Sequence, residues 1–198
     1  MDPERIRAFD EAALAPGETE TATFALGCFW GPDAEFGARD GVVRTRVGYA
    51  GGTTPDPTYH DVGDHSETVQ VEYDPDAVSF ETLVESAVDE HGPLRQPGKR
   101  QYQHVLFYET DDERETIEQR LAALDVPAGD VETRVEPLSS FTLAETYHQK
   151  YHLRSKRAVL NAFEDAGYDD ADVRESPAAA KLNAHVAGKR VPEAAAVL

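Results

Sequence analysis

Between Glu67 and Tyr73 apolar and polar residues alternate without a break, Val69, Val71 and Tyr73 on one side and Thr68, Gln70 and Glu72 on the other. Side chains of a strand point alternately to opposite faces, so this run must lie in a sheet with an apolar layer against one face. Thr19–Leu26, Val42–Tyr49, Tyr102–Tyr108 and Val131–Val135 have the β-branched and aromatic character of further strands. Helical spacing appears between them. Phe80, Leu83, Val84, Ala87 and Val88 follow Ser79 and stop at Gly92, and Thr110 with Glu113 predicts a capping box for a helix through Leu124. Thr142 with Glu145 predicts one more capped helix, carrying Tyr147, His148, Tyr151 and His152. This order predicts an α+β fold, a two-layer α/β sandwich with a mixed β-sheet and helices packed on it. A lead-in helix and turn over residues 1–17, a main domain over 18–170 and an Ala-rich extension over 171–198 complete the organisation.

Charge narrows the function. The chain of 198 residues carries 38 acidic against 19 basic side chains, a formal net charge of −19, which disfavours nucleic acid and anionic membrane as partners. With 14 Arg and 5 Lys, the dense acidic surface reads as adaptation to high salt, where screening relieves self-repulsion. No apolar run reaches the roughly 18 residues of a membrane span, and the charged start is unlike a signal peptide. The expectation is a cytoplasmic monomer.

Cys28 is the sole cysteine, so an intramolecular disulfide and a cysteine-rich zinc site are excluded. It falls where the first strand ends at Gly27 and a helix begins near Pro32 and Asp33. A thiol at a helix N-terminus is expected to favour thiolate. Glu67, on the apolar side of its strand, reads either as a strand-edge residue turned to solvent or as a carboxyl that holds a proton near neutrality. Tyr59, Tyr102, Phe29 and Trp30 are each as compatible with packing as with a site.

Five motifs in one order change that balance. Gly27-Cys28-Phe29-Trp30-Gly31, Gly48-Tyr49-Ala50-Gly51-Gly52, Pro57-Thr58-Tyr59, His65-Ser66-Glu67 and the strand ending Tyr73-Asp74-Pro75 closely resemble the A-type peptide methionine sulfoxide reductases. Arg100-Gln101-Tyr102 and Ala144-Glu145-Thr146-Tyr147-His148-Gln149-Lys150-Tyr151 resemble later family segments, so the likeness runs from about Thr19 to Arg154. The resemblance implies reduction of methionine-S-sulfoxide, free or in proteins, as repair of oxidative damage. It implies Cys28 as nucleophile passing through a sulfenic acid, Glu67 as the acid, and Tyr59 and Tyr102 as donors to the sulfoxide oxygen. Phe29 and Trp30 would cradle the S-methyl group. No cofactor or metal is implied.

Two loops depart from the family pattern: the segment Gln96 to Tyr102 is shorter and lacks the acidic residue that the family usually carries just before this tyrosine, and the loop between Tyr59 and Glu67 is shorter than usual. Many family members also carry resolving cysteines in the C-terminal tail, whereas no cysteine follows Cys28 here. An external reductant, either a thioredoxin-like protein or a small thiol, is therefore expected. Three other readings remain open on sequence: a methionine sulfoxide or peptide binder without chemistry, a Cys–His hydrolase pairing Cys28 with His65 or His148, and a metal held by His148 and His152.

Overall fold

The computed structural model describes residues 1–13 and 17–197. In chain order the elements are α1 (Pro3–Ala13), β1 (Glu20–Leu26), α2 (Trp30–Gly37), β2 (Val42–Ala50), β3 (Ser66–Tyr73), α3 (Phe80–Glu90), β4 (His104–Tyr108) and α4 (Asp111–Ala122). They are followed by β5 (Arg134–Pro137), β6 (Phe141–Leu143), α5 (Tyr151–Arg154), α6 (Arg157–Asp165), α7 (Asp170–Glu175), α8 (Pro177–Val186) and α9 (Ala194–Val197). The lead-in helix is α1; the turn expected after it at Ala15-Pro16 lies outside the described residues. Among the described residues no helix is long and apolar enough to cross a membrane.

The six strands form one sheet in the order β5-β4-β1-β3-β2-β6. Every pairing is antiparallel except β4 with β5, whose parallel register requires the crossover that α4 supplies. The mixed sheet with helices on it is thus the expected α+β arrangement. Val69, Val71 and Tyr73 of β3 join Phe24, Leu83, Val84 and Ile117 in the main core, which is the face the alternation predicted. The opposite face is not left to solvent. Glu72 is buried there in an ion-pair ladder, taking Arg44 at 2.8 Å and Arg46 at 3.0 Å, and Glu175 at the end of α7 closes it on Arg46. This ladder, with α7 packed against β2, covers the polar face.

The capping signals hold for two helices. Ser79 accepts the Thr82 N–H at the start of α3, and Thr110 with Glu113 completes the reciprocal box on α4. The third fails. Thr142 lies in β6, paired with Tyr49 at the sheet edge, and Thr146–His148 is a single 3₁₀ turn. Lys150 then takes a left-handed backbone, φ +53°, which stops any continuous helix and places His148 and His152 on separate elements. Tyr102 is also displaced from its expected strand: Arg100–Tyr102 is a 3₁₀ turn, and β4 begins two residues later.

A second core packs the C-terminal helices against α1, α5 and α6. Ala178, Ala179, Leu182 and Ala184 of α8 are buried with Ile6, Leu153 and Phe163. The Ala-rich composition has a steric reason, because α8 lies hard against α2: a Cβ built on Gly37 would sit 2.8 Å from the Ala180 carbonyl oxygen.

Candidate active site

The site begins where β1 ends. Gly27 has φ +92°, a conformation that costs little only for glycine, and it turns the chain so that Cys28 stands exposed just ahead of α2. No side chain caps α2. The first amide N–H groups of a helix lack partners within it, and here the site supplies them. The Phe29 N–H donates to Glu67 Oε2 at 3.1 Å, and the Trp30 backbone N–H favours the charged form of Cys28. One uncapped helix end therefore stands beside both the acid and the thiol.

Glu67 enters from β3 on the same face as Val69, as the alternation predicted, and is 1% exposed. Burial pushes its carboxyl above the usual carboxylate range, while hydrogen bonds from Gln101 and Phe29 and the charge of Lys99 pull it back. Gln101 Nε2 lies 2.6 Å from Oε1, so both carboxyl oxygens are engaged. Cys28 differs from expectation. Partial burial raises the thiol, the Trp30 N–H opposes this, and the Glu67 charge raises it further, so the balance favours the thiol over the thiolate. Desolvation and a neighbouring acid outweigh the short helix.

Both phenols converge on this pair. Burial, the adjacent Tyr59 hydroxyl, Glu67 and Cys28 together push Tyr102 up to about 12, so it is a neutral donor at physiological pH. Its 3₁₀ turn is pinned by Ser66, whose hydroxyl donates to the Arg100 carbonyl at 2.8 Å. Tyr59 arrives on the irregular segment between β2 and β3. There Asp64 accepts from the backbone N–H groups of Thr53 and Thr54, and Arg100 donates to the carbonyls of Gly51 and Asp64. Glu145 fixes the far end, accepting the Tyr59 N–H at 2.9 Å and the Tyr49 hydroxyl at 2.8 Å.

Phe29, Trp30 and Tyr59 pack with Val47, Tyr49 and Val62 into one apolar cluster. Trp30 stacks on Tyr151 with ring centroids 3.7 Å apart and 7° between planes. The aromatic residues expected to cradle a methyl group thus stand beside the sulfur, the acid and the phenols. Sequence reasoning missed Gln101 and Glu145, which orient Glu67 and Tyr59 without carrying a recognisable spacing of their own. It also missed the pair beneath α2: Lys150 and Asp33, both 0% exposed, 3.0 Å apart, with Thr45 and Asn183 bonded to the same carboxylate. His65 is taken by the Thr54 carbonyl and His148 by the Trp30 indole, so each of the histidines considered as a base for Cys28 is engaged elsewhere.

Comparison with known proteins agrees with this geometry. The family model described as peptide methionine sulfoxide reductase matches residues 20–176. The peptide methionine sulfoxide reductase of Drosophila melanogaster is 35% identical over 175 residues, covering 85% of this chain and 68% of that protein. Peptide methionine sulfoxide reductase A5 of Oryza sativa subsp. japonica is 38% identical over 188 residues, covering 89% and 71%. Among solved structures, methionine sulfoxide reductase A of Corynebacterium diphtheriae superposes with a TM-score of 0.60 at 34% identity over 72% of this chain and 77% of that one. Reduced Mxr1 of Saccharomyces cerevisiae gives 0.62 at 27% identity over 68% and 84%. With a buried acid, two phenols and an aromatic cradle around a lone sulfur, and a family model spanning most of its length, the chain belongs to the peptide methionine sulfoxide reductase family.

Proposed function

We propose that the protein reduces methionine-S-sulfoxide, free or in polypeptides, to methionine, with Cys28 as nucleophile and Glu67 as acid. The observation that carries the assignment is the pairing of a buried, proton-favouring Glu67 with the exposed Cys28 at one uncapped helix end.

The Cys28 sulfur attacks the sulfoxide sulfur as Glu67 gives its proton to the sulfoxide oxygen. The transient bond between the two sulfurs and the sulfur–oxygen bond of the substrate break as the hydroxyl passes to Cys28, leaving a sulfenic acid, and the thiol proton of Cys28 replaces the one that Glu67 gave. Methionine sulfur gains two electrons and Cys28 loses them. Tyr59 and Tyr102 donate to the oxygen as its charge develops, which makes the sulfur more electrophilic. Phe29 and Trp30 take the S-methyl group and select the epimer. The raised thiol suits this order, since the proton leaves the sulfur only when a polarised sulfoxide is in place.

Regeneration needs two external thiols. The first condenses with the sulfenic acid, releasing water and forming a mixed disulfide, and the second resolves it. A thioredoxin-like protein is the proposed source, because Cys28 is the chain's sole cysteine and is exposed. A single-turnover reaction of reduced protein with each sulfoxide epimer tests the assignment. One methionine per protein from the S epimer, with a sulfenic-acid label on Cys28, is expected. Equal turnover by Cys28→Ser would overturn it. A thioredoxin lacking its resolving cysteine should trap a mixed disulfide; turnover by small thiols without such a trap assigns the role to them instead.

A further inference from the structure

His148 takes no part in the chemistry above, yet it is 2% exposed and surrounded by the residues that shape the site. Its ring centroid lies 5.1 Å from Phe29, 4.7 Å from Tyr59 and 4.1 Å from Tyr147. Trp30 Nε1 lies 3.2 Å from His148 Nδ1. An indole N–H can only donate, so Nδ1 is the acceptor and the proton of the neutral ring sits on Nε2. Nε2 is buried without a hydrogen-bond partner among the described residues, 4.0 Å from Glu145 Oε2. Glu145 in turn accepts from the Tyr59 backbone.

These contacts form a clamp. Tyr151 covers one face of the Trp30 indole and His148 takes its polar edge. Trp30 is the first residue of α2, so its backbone is fixed by the helix while its side chain depends on what holds the ring. Burial and the nearby His60 keep His148 neutral against the pull of Glu145. That is the form Trp30 requires, since an imidazolium would present a donor at both nitrogens.

We propose that His148 is a positioning residue that holds the Trp30 indole as the wall of the methyl cradle and thereby sets how tightly the sulfoxide is bound. The effect on substrate rests on the reductase reading above; the anchoring of Trp30 does not. Replacing His148 by Phe keeps the ring volume and removes the acceptor, whereas Asn carries an amide oxygen near the position of Nδ1. Loss of a hydrogen bond of ordinary net strength corresponds to about a fivefold to tenfold rise in KM for the sulfoxide. This rise is expected in His148→Phe with kcat within about twofold, and His148→Asn should recover most of it.

Trp30 is the chain's only tryptophan, so its indole N–H gives one resonance in a nitrogen–proton correlation spectrum and its emission is unmixed. In the unmutated protein that resonance should exchange slowly with solvent and couple to an imidazole nitrogen. In His148→Phe the coupling is lost and emission shifts to the red, with Asn close to the parent protein. A fast-exchanging indole N–H in the parent, or equal KM losses in Phe and Asn with unchanged Trp30 emission, overturns the proposal. Should the parent protein reduce no sulfoxide, the reductase reading fails, and the spectrum still decides whether His148 anchors Trp30.

Discussion

Gln101 donates its side-chain amide to Glu67 Oε1 at 2.6 Å while the Phe29 backbone N–H takes Oε2 at 3.1 Å. Both bonds favour the charged carboxylate and restrain a shift that burial alone drives upward. Gln101→Leu removes one restraint, so Glu67 should hold its proton to higher pH. In the proposed mechanism the protonated acid is the working form, so activity is expected to fall as pH rises through its pKa, and in Gln101→Leu that fall should move to more alkaline pH. Profiles of kcat/KM against pH for parent and variant check this. Glu67→Gln, which can donate a hydrogen bond but not release a proton, should lower kcat by about 10²–10⁴-fold.

The buried Lys150–Asp33 pair predicts an asymmetric response to mutation. Lys150 is held by Asp33 at 3.0 Å and by the Thr45 carbonyl at 2.6 Å, with both charges fully enclosed. Lys150→Met strands a carboxylate in the core and should cost about 3–5 kcal/mol in urea unfolding. Adding Asp33→Asn to it should recover part of the loss, since the stranded charge is then gone.

Gly37→Ala tests the contact between α2 and α8. The new methyl would meet the Ala180 backbone carbonyl oxygen at 2.8 Å, a clash that no rotamer change can relieve. The expected cost is about 1–3 kcal/mol, read as a lower thermal midpoint.

Two histidines predict loss of stability in acid. His91 is pushed down to about 4 by burial and by neighbouring His104, and burial also lowers His104. A depressed folded pKa means that the unfolded chain binds protons first. Their contribution is whole above the ordinary histidine value of about 6.5 and is lost as pH falls through the window to about 4. For His91 the full loss is on the order of 3 kcal/mol. Melting temperatures measured between pH 7 and 4 should fall, and His91→Gln should flatten that dependence.

How much of this was legible depended on whether a signal was local. Glu67 could be placed because strand alternation fixes its face, and the structure buries it there. Cys28 could be placed between strand and helix, but its protonation could not, because the burial and the Glu67 charge that raise it come from folding. The Thr142 to Glu145 spacing resembled a helix cap, yet pairing of Thr142 with Tyr49 at an open sheet edge outweighed it. Tyr102 fell at the start of an apolar run and was read as strand, whereas hydrogen bonding of Gln101 and Ser66 curls that segment into a turn. Gln101, Glu145 and His148 act through partners 34 to 118 positions away. Such distances leave no periodic trace.

The alanine-lined α8 lies beyond residue 176, where the family match stops, yet it braces the helix whose other end stands next to Cys28. A shortened protein cut to the borders of family likeness would open the hidden flank of that helix to water and strip Asn183 from Asp33. Its sulfur would then stand on a loosened footing, although no residue near the reacting atoms had been touched.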